Sequence, residues 1–323
     1  MKLTYKHTHT HTHTHTHNMI KHKLQIPRFS LHQFDNRENL GFSAIDYSKL
    51  KYGSGTIAKK FGEELAQKFF EEHYDIIVSK QLIVMESAYA SIRNAASLIT
   101  VHFVNKLNNL IAELNGNHVE RMKINRLVPY ITDYGKLSVK KRVNLLKKDT
   151  FTIDAAFVKN KFMIFLDDIF ITGTHQLKIE EMLTNYELSM EDAMCVYYAE
   201  LIDPMQDPSI ESYLNNSYVS NIKFLGSLIM DETNYGEYKV IVRTVKTVLQ
   251  EQDTKVIKEF IKNMNTKLVA EIYYSCLGEG YYKNPAFSTN FAILRTEFLN
   301  HKKKTYNCNT KQYESIKSRK RWR

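Results

Sequence analysis

The sequence predicts an α/β fold in which helices flank a parallel sheet. Two observations lead to this prediction. Phe162–Leu166 is a fully apolar run of strand length, typical of the centre of a parallel sheet. It is followed by a turn of small residues, a helical segment over Gln176–Tyr186 and a second strand, Met194–Ala199. Strand, turn, helix and strand in this order form a βαβ unit, whose two strands are parallel.

The segments before this unit also alternate between helix and strand length. Apolar residues recur at every fourth position through Thr56–Glu72, which predicts an amphipathic helix. Tyr74–Ser79 and Leu82–Met85 are short apolar runs of strand length. Ala95–Leu114 again has one apolar face, and Asn115-Gly116 is a signal for the end of a helix. These segments belong to the same predicted α/β core.

The chain after this core is predicted to be mostly helical. Asp203-Pro204 and Asp207-Pro208 break the chain, and helical patterns follow over Val240–Glu251, Thr254–Asn263 and Lys267–Cys276. The sequence thus divides into four regions: a His-Thr tract over 1–18, predicted to be disordered and excluded from the fold; an α/β core with an N-terminal cover over 19–208; a helical region over 209–300; and a basic tail over 301–323.

Composition excludes several classes of protein. With 43% hydrophobic and 25% charged residues, the 323-residue chain is typical of a globular protein. No apolar run approaches the ~18 residues that a membrane-spanning helix needs. The three cysteines are widely spaced, which argues against a disulfide framework or a zinc ribbon. We therefore expect a protein of the reducing cytoplasm that does not bind a membrane.

The positive charge is concentrated at the C-terminus. Residues 301–323 contain nine Lys or Arg and one Glu, a net charge of +8, whereas the other 300 residues carry 36 basic and 34 acidic side chains. Such a tail can contact nucleic-acid phosphates, or it can be a solvated end without a partner. The sequence leaves both interpretations open.

The end of the first strand of the βαβ unit carries the predicted site. Asp167 and Asp168 follow the apolar run, and ligands of open α/β sheets bind at the carboxyl ends of strands. The small turn before the helix presents backbone N–H groups to one point, and Thr172 and Thr174 add hydroxyl groups, which suits a phosphate. The turn could then hold a phosphate while the two carboxylates accept hydrogen bonds from neighbouring sugar hydroxyls. Together these groups match a ribose 5-phosphate. The alternative is a strand that ends in a solvated acidic turn.

The stretch "FLDDIFITGTH" resembles the phosphoribosyl pyrophosphate (PRPP) signature of type I phosphoribosyltransferases. The resemblance implies that fold, with Asp167 and Asp168 on the ribose 2- and 3-hydroxyls. It also implies that the turn wraps the 5-phosphate, through Thr172, Gly173, Thr174 and His175. The sequence departs from the family pattern at Ile171, which argues against the purine-salvage branch, and at His175, where the family has Thr or Ser. The family would further imply Mg²⁺, bound indirectly to Asp167 and Asp168 through PRPP.

Asp133–Phe151 stands where this family has its mobile catalytic loop. Leu137-Ser138, Arg142 and Asn144 resemble the "LS…R…N" pattern of the competence-protein branch, although that branch's four-cysteine zinc site is absent. The resemblance implies that basic residues of this loop close over a pyrophosphate, with Lys136 and Arg142 as catalytic candidates beside Lys140 and Lys141. The alternative is a solvated basic helix.

The pyrophosphate loop is predicted between Leu82–Met85 as a strand and the helix that begins at Ala95. Glu86–Asn94 would be the loop, with Ser87 and Arg93 as anion contacts, and this segment resembles phosphoribosyltransferases of bacterial stress and conflict gene clusters. The alternative is one helix from about 83 to 114. Upstream, Phe42–Leu65 would be the family's N-terminal cover over the site, with Lys49, Lys51 and Gly53 as candidate substrate contacts that the family resemblance does not fix.

We therefore expect an enzyme that transfers ribose 5-phosphate from PRPP to an unidentified acceptor and releases pyrophosphate. An alternative is a PRPP-sensing or PRPP-consuming effector of a bacterial stress or antiviral defence system. It would act in a larger assembly, with or without nucleic acid. The sequence leaves open whether the chain forms a homo-oligomer. A third interpretation is a regulator that binds PRPP without catalysis.

Overall fold

A single six-stranded sheet organises the molecule. The computed structural model describes residues 24–126, 150–203, 207, 209–234 and 237–303. The strands lie in the order β1-β6-β5-β2-β3-β4, and every neighbouring pair is parallel except β3 and β4. Their bounds are β1 Arg28–Phe34, β2 Leu82–Tyr89, β3 Glu120–Arg126, β4 Phe151–Thr152, β5 Phe162–Phe170 and β6 Ala193–Leu201. This architecture confirms the predicted α/β fold.

Seven of the described helices accompany the sheet or connect its strands. They are α1 Ala44–Lys51, α2 Gly55–Glu72, α3 Tyr74–Ser79, α4 Ala95–Ala112, α5 Ala155–Val158, α6 Thr174–Asn185 and α7 Ile210–Asn216. The C-terminal helices are α8 Ile222–Asn234, α9 Val242–Gln250, α10 Thr254–Lys262, α11 Thr266–Gly278 and α12, which covers 288–303. Two short 3₁₀ turns, Tyr281–Lys283 and Pro285–Phe287, join α11 to α12. None of the helices in these described ranges is long and apolar enough to cross a membrane.

Alternating residues of the central strands build two apolar layers. In β5, Ile164 and Leu166 pack with residues of α2 and α4, whereas Met163 and Phe165 pack with residues of α6 on the other face. This period of two is what a strand buried on both faces requires. A third apolar cluster lies among the C-terminal helices, and Tyr52 of the N-terminal part belongs to it. The sheet is therefore covered on both sides, and the C-terminal helices pack against its N-terminal cover.

Two predicted elements before β3 differ from the structure. Tyr74–Ser79 is a helix and not a strand, because its burial is one-sided: only Ile77 is buried, and Asp75 lies in the first turn, where an acid suits a helix. The prediction that β2 ends at Met85 was wrong, since β2 continues to Tyr89 by pairing with β3. The same pairing excludes a single helix from about 83 to 114.

The strand that carries the two acids also exceeds its predicted end. β5 continues beyond Leu166 to Phe170, because Asp167 pairs with Tyr197 and Phe170 with Glu200 on β6. The aspartates are therefore part of the sheet itself, which fixes their backbone more firmly than a turn would.

Candidate functional site

A cleft opens at the carboxyl ends of β2, β5 and β6. Its cavity measures about 200 Å³. Because these strands are parallel, their carboxyl ends share one edge of the sheet, and side chains far apart in sequence meet there. Its polar and charged lining consists of Lys51, Ser87, Asn94, Arg126, Asp167, Asp168, Thr172, Thr174, His175, Gln176, Tyr197 and Glu211.

Asp167 and Asp168 each face a basic side chain. The Asp168 carboxylate is 7% exposed and pairs with the ammonium of Lys51, the last residue of α1. The Asp167 carboxylate lies 2.6 Å from Nδ1 of His175, and its other oxygen accepts a hydrogen bond of 3.0 Å from the Asp168 backbone N–H. The two carboxylates therefore have different surroundings although they are adjacent in sequence.

These surroundings separate the acidities of the pair. Burial raises the pKa of Asp168, and the ion pair with Lys51 offsets only part of this effect, since the charge of Asp167 raises the pKa again. Burial also opposes ionisation of Asp167, but the charge and hydrogen bond of His175, followed by the charge of Lys51, lower its pKa below the ordinary value. Asp167 is thus the first of the two to ionise.

The turn after β5 leaves backbone N–H groups of the next helix without a side-chain cap. Gly173 precedes the first residue of α6 with φ of 69°, a left-handed conformation that glycine adopts without strain. Glycine has no side chain with which to cap the helix, so the first-turn N–H groups of α6 are left for water or an anion. The hydroxyls of Thr172 and Thr174 lie 2.8 Å apart beside this turn. Partial positive charge and two hydroxyl groups therefore face the cleft together.

One of the three predicted cover residues lines the cleft, and two do not. Lys51 lines it, as described above. The ammonium of Lys49 lies over the ring of Tyr218 instead, 4.7 Å from its centre. The carbonyl of Gly53 accepts a hydrogen bond of 2.9 Å from the N–H of Lys239. Gly53 therefore connects the cover to the C-terminal region.

The predicted pyrophosphate loop is shorter than expected. Of its two predicted anion contacts, Ser87 lines the cleft and Arg93 does not. Ser87 is buried near the end of β2 and lines the cleft. Arg93 is exposed and is not among the lining residues; its carbonyl accepts a hydrogen bond of 2.9 Å from the N–H of Val242. The catalytic-loop candidates Lys136, Lys140, Lys141 and Arg142 lie outside the described residues.

Several lining residues escaped the sequence reasoning. Asn94 was placed in the loop but not in the site; its position just before the helix at Ala95 is a helix-capping signal that could have drawn attention to it. Arg126 is the last residue of β3, Tyr197 lies in β6 beside Asp167, and Glu211 lies in the first turn of α7; all three line the cleft. No local pattern in the sequence marks these three residues.

A known protein family matches most of the chain. A family model described as PRTase ComF-like matches residues 26–294. Among solved structures, a hypoxanthine phosphoribosyltransferase from Staphylococcus aureus is similar, with a TM-score of 0.30 and 10% identity over 45% of this chain and 75% of that one. No curated protein matches the chain. The family match extends from β1 to α12 and confirms the resemblance carried by "FLDDIFITGTH". The chain belongs to the ComF-like phosphoribosyltransferase family.

Proposed function

We propose that the protein binds PRPP in the cleft and transfers its ribose 5-phosphate to an acceptor, with release of pyrophosphate. The observation that carries the proposal is the meeting of the Asp167 and Asp168 carboxylates with the N-terminus of α6 at one cavity. Carboxylates accept hydrogen bonds from sugar hydroxyls, and helix N-termini bind phosphates. A sugar that carries a phosphate on one carbon satisfies both parts at once.

The ribose would lie against Asp167 and Asp168, and its 5-phosphate against the turn from Thr172 to His175. To reach Asp168, a ribose hydroxyl competes with the ammonium of Lys51. Binding therefore releases that ammonium inside the cleft, where it can approach a phosphate oxygen of the same ligand. In the same way, His175 can donate to the 5-phosphate when a ribose hydroxyl takes its place at Asp167.

The diphosphate of PRPP would lie between the end of β2 and the first turn of α4. Ser87 and Asn94 face the cleft there. Lys136 and Arg142 are the residues that the family resemblance proposes for closing over the diphosphate from above. In this role they would neutralise the departing pyrophosphate and keep water from the sugar.

The residues of the cleft fit the Mg²⁺ that the family implies. Mg²⁺ prefers oxygen ligands, and Asp167 and Asp168 would hold it indirectly, through the PRPP that they bind. Within the described ranges, no group of three or more His, Cys, Asp or Glu side chains could hold a metal without the substrate. This set suits a cation held largely through PRPP oxygens, as Mg²⁺ commonly is at phosphate sites. When bound, it would offset the charge of the leaving pyrophosphate.

The chemical step breaks the bond between C1 of the ribose and the pyrophosphate oxygen, whose electron pair leaves with the pyrophosphate. The acceptor then forms a bond to C1. Positive charge that develops on the sugar ring is stabilised by the ionised Asp167. Burial raises the pKa of Asp167, but His175 and, to a smaller extent, Lys51 lower it below the ordinary value. The protein's contribution is thus orientation of the sugar and electrostatic stabilisation at both ends of the breaking bond.

The double variant Asp167→Asn with Asp168→Asn tests this proposal. Calorimetric titration with Mg²⁺ and PRPP should show an affinity loss of about two to four powers of ten, because two charge-assisted hydrogen bonds are lost. The matched control is Glu191→Gln with Asp192→Asn, an adjacent acidic pair just before β6, at the opposite edge of the sheet. Equal affinity of both double variants and the wild type would contradict the ribose site.

Pyrophosphate release distinguishes the transferase from its alternative. Purified protein is incubated with PRPP and Mg²⁺, with and without nucleobases and amines. Release that depends on an added acceptor supports the transferase and identifies the acceptor class. Release without any acceptor favours a PRPP-consuming effector, and binding without release favours a sensor.

A further inference from the structure

A buried carboxylate from the C-terminal helices holds the loop between β2 and α4. Glu279 directly follows α11 and is 7% exposed. One of its oxygens accepts hydrogen bonds from the backbone N–H groups of Ser91 and Ile92, each 2.7 Å long. Two successive N–H groups that converge on one oxygen form an anion-binding arrangement of the backbone. In this protein a side chain of the chain itself fills that arrangement.

The position of Glu279 is unfavourable for an acid in every other respect. The C-terminal end of a helix carries partial negative charge, and a buried charge needs compensation. Compensation comes from the two N–H groups and from Lys123, whose ammonium donates to the carbonyl of Ala90 in the same loop. Burial lowers the pKa of Lys123, and the nearby charge of Glu279 offsets part of this effect. The carboxylate is thus specifically matched to the loop.

The neighbouring glycine lets α11 approach closely enough for this contact. A Cβ atom on Gly278 would lie 2.3 Å from the hydroxyl oxygen of Ser91, so that a larger residue would require the Ser91 side chain to turn away. Further along, the carbonyl of Arg93 accepts from the N–H of Val242. The back of the loop is therefore held by the C-terminal helices at three successive residues, 91 to 93.

The front of the same loop faces the cleft. Asn94 donates from its amide nitrogen to the hydroxyl and the carbonyl oxygen of Ser87, at 3.3 and 3.4 Å, and both residues line the cavity. Since Asn94 comes directly after the residues that Glu279 and Val242 hold, any movement of Ser91 and Ile92 carries over to it. The loop is a short link between the C-terminal helices and the cleft.

We infer that Glu279 is a positioning residue for the diphosphate part of the substrate. By fixing the backbone of Ser91 and Ile92, it presents Ser87 and Asn94 to the diphosphate in the orientation that binding requires. This inference rests on the proposed function, because it assigns a role within the same PRPP site. It makes the C-terminal helices part of substrate recognition, although Glu279 itself lies behind the loop.

Two ligands that differ only in the diphosphate test the inference. PRPP and ribose 5-phosphate are titrated in the presence of Mg²⁺ into the wild type, Glu279→Gln and Glu279→Ala. The affinity for PRPP should fall about tenfold or more in Glu279→Ala, because two backbone N–H groups lose a charged acceptor. It should fall less in Glu279→Gln, which keeps an acceptor oxygen. The affinity for ribose 5-phosphate should stay unchanged in both variants.

Glu232→Gln is the matched control. Glu232 is also a buried carboxylate of the C-terminal helices. It accepts a hydrogen bond from the backbone N–H of Thr56, at the start of α2 and outside the β2–α4 loop. It should lower the melting temperature without separating the two ligands. Hydrogen exchange at Ser91 and Ile92 should accelerate in the Glu279 variants alone.

The outcomes separate this inference from the proposed function. A wild type that binds neither ligand would overturn both. A wild type that binds both, with Glu279 variants that weaken both ligands equally or neither, would overturn the role of Glu279 and leave the proposed function intact. A loss restricted to PRPP, together with faster exchange in the loop, supports the positioning role.

Discussion

Lys51 and Asp168 form an ion pair inside the cleft although 117 residues separate them in the chain. The two side chains are 17% and 7% exposed, so both have lost most of their water. Removing one partner of such a pair destabilises the fold by more than the intact pair stabilises it, because the other charge stays buried and uncompensated. Lys51 therefore stabilises the cleft as well as competing with a ribose for Asp168.

Lys51→Met should lower the free energy of unfolding by about 3 kcal/mol near pH 8, at the low end of the range for buried pairs because Lys51 is partly exposed. Burial already raises the pKa of Asp168, and the loss of Lys51 raises it further. The native state then binds a proton more tightly than the unfolded chain does. Stability of the variant is therefore lowest above that raised pKa and recovers as the pH falls through it. Urea unfolding near pH 8 and near pH 5 measures this difference.

Lys60→Met is the control for this prediction. Lys60 pairs with Asp46 at 2.9 Å, but its side chain is 50% exposed. This variant should change stability by less than about 1 kcal/mol. Two results would contradict this prediction: an equal loss of unfolding free energy in Lys51→Met at both pH values, or a loss no larger than that of Lys60→Met. Either would show that Asp168 is not left as a buried, uncompensated charge when Lys51 is removed.

Residues of the site were predictable where they share one local pattern. Asp167, Asp168 and the turn from Thr172 to His175 follow one another, so strand, acids and turn could be interpreted as one unit. Lys51 was one of three candidates in the N-terminal cover, which the family resemblance does not fix, and Glu279 was not predicted at all. Both residues reach their partners through tertiary packing, which no local pattern shows. Arg93 was predicted as an anion contact of the pyrophosphate loop, yet its side chain is exposed and is not among the residues that line the cleft.

At the scale of elements, Asn94 links the N-terminus of α4 to the end of β2. Its side-chain oxygen accepts a hydrogen bond of 2.9 Å from the N–H of Ser97, which caps the helix. Its nitrogen donates to Ser87. One side chain thus fixes where the helix begins and how the strand end faces the cleft.

Asn94→Ala should therefore lower both stability and PRPP affinity. Loss of the cap costs about 1 kcal/mol of unfolding free energy. Asp253→Ala is the matched control, since Asp253 caps α10 by accepting from the N–H of Lys255 at 2.8 Å. Both variants should show similar decreases in melting temperature, but only Asn94→Ala should bind PRPP more weakly. Unchanged PRPP affinity in Asn94→Ala would show that the junction of β2 and α4 does not contribute to PRPP binding.

Long elements with a regular apolar pattern were predicted well, and short ones were not. The helices α2 and α4 begin within one residue of their predicted starts, because many residues contribute to the pattern. Tyr74–Ser79 has only six residues, too few to separate a period of two from a period of 3.6. The ends of β2 and β5 depend on pairing with β3 and β6, which a single segment does not encode.

At the scale of the whole molecule, α1 and the start of α2 share buried contacts with the chain that follows the sheet. Glu232 of α8 accepts from the hydroxyl of Ser54 at 2.6 Å, just before α2 begins. The hydroxyl of Ser48 on α1 is fully buried; it donates to the carbonyl of Asn215 and accepts from the N–H of Val219. The division of the chain at residue 208 was made on the Asp-Pro breaks and the helical patterns that follow them. It stays a prediction, since such local patterns do not show contacts between regions.

These shared contacts predict that the described chain unfolds as one cooperative unit. A chain that ends at residue 203 should fail to fold, because it would expose Tyr52 and Ile92, which pack in the apolar cluster of the C-terminal helices, and would leave the buried hydroxyl of Ser48 without its partners. A chain that ends at residue 303 is the control and should keep the melting temperature, because 304–323 is rich in charge and has little apolar surface to bury. Circular dichroism and hydrogen exchange during urea unfolding measure both. A folded, monomeric chain 24–203, or two separate transitions in the longer chain, would show that the sheet is stable alone and that its contacts with the C-terminal helices only join two independent units.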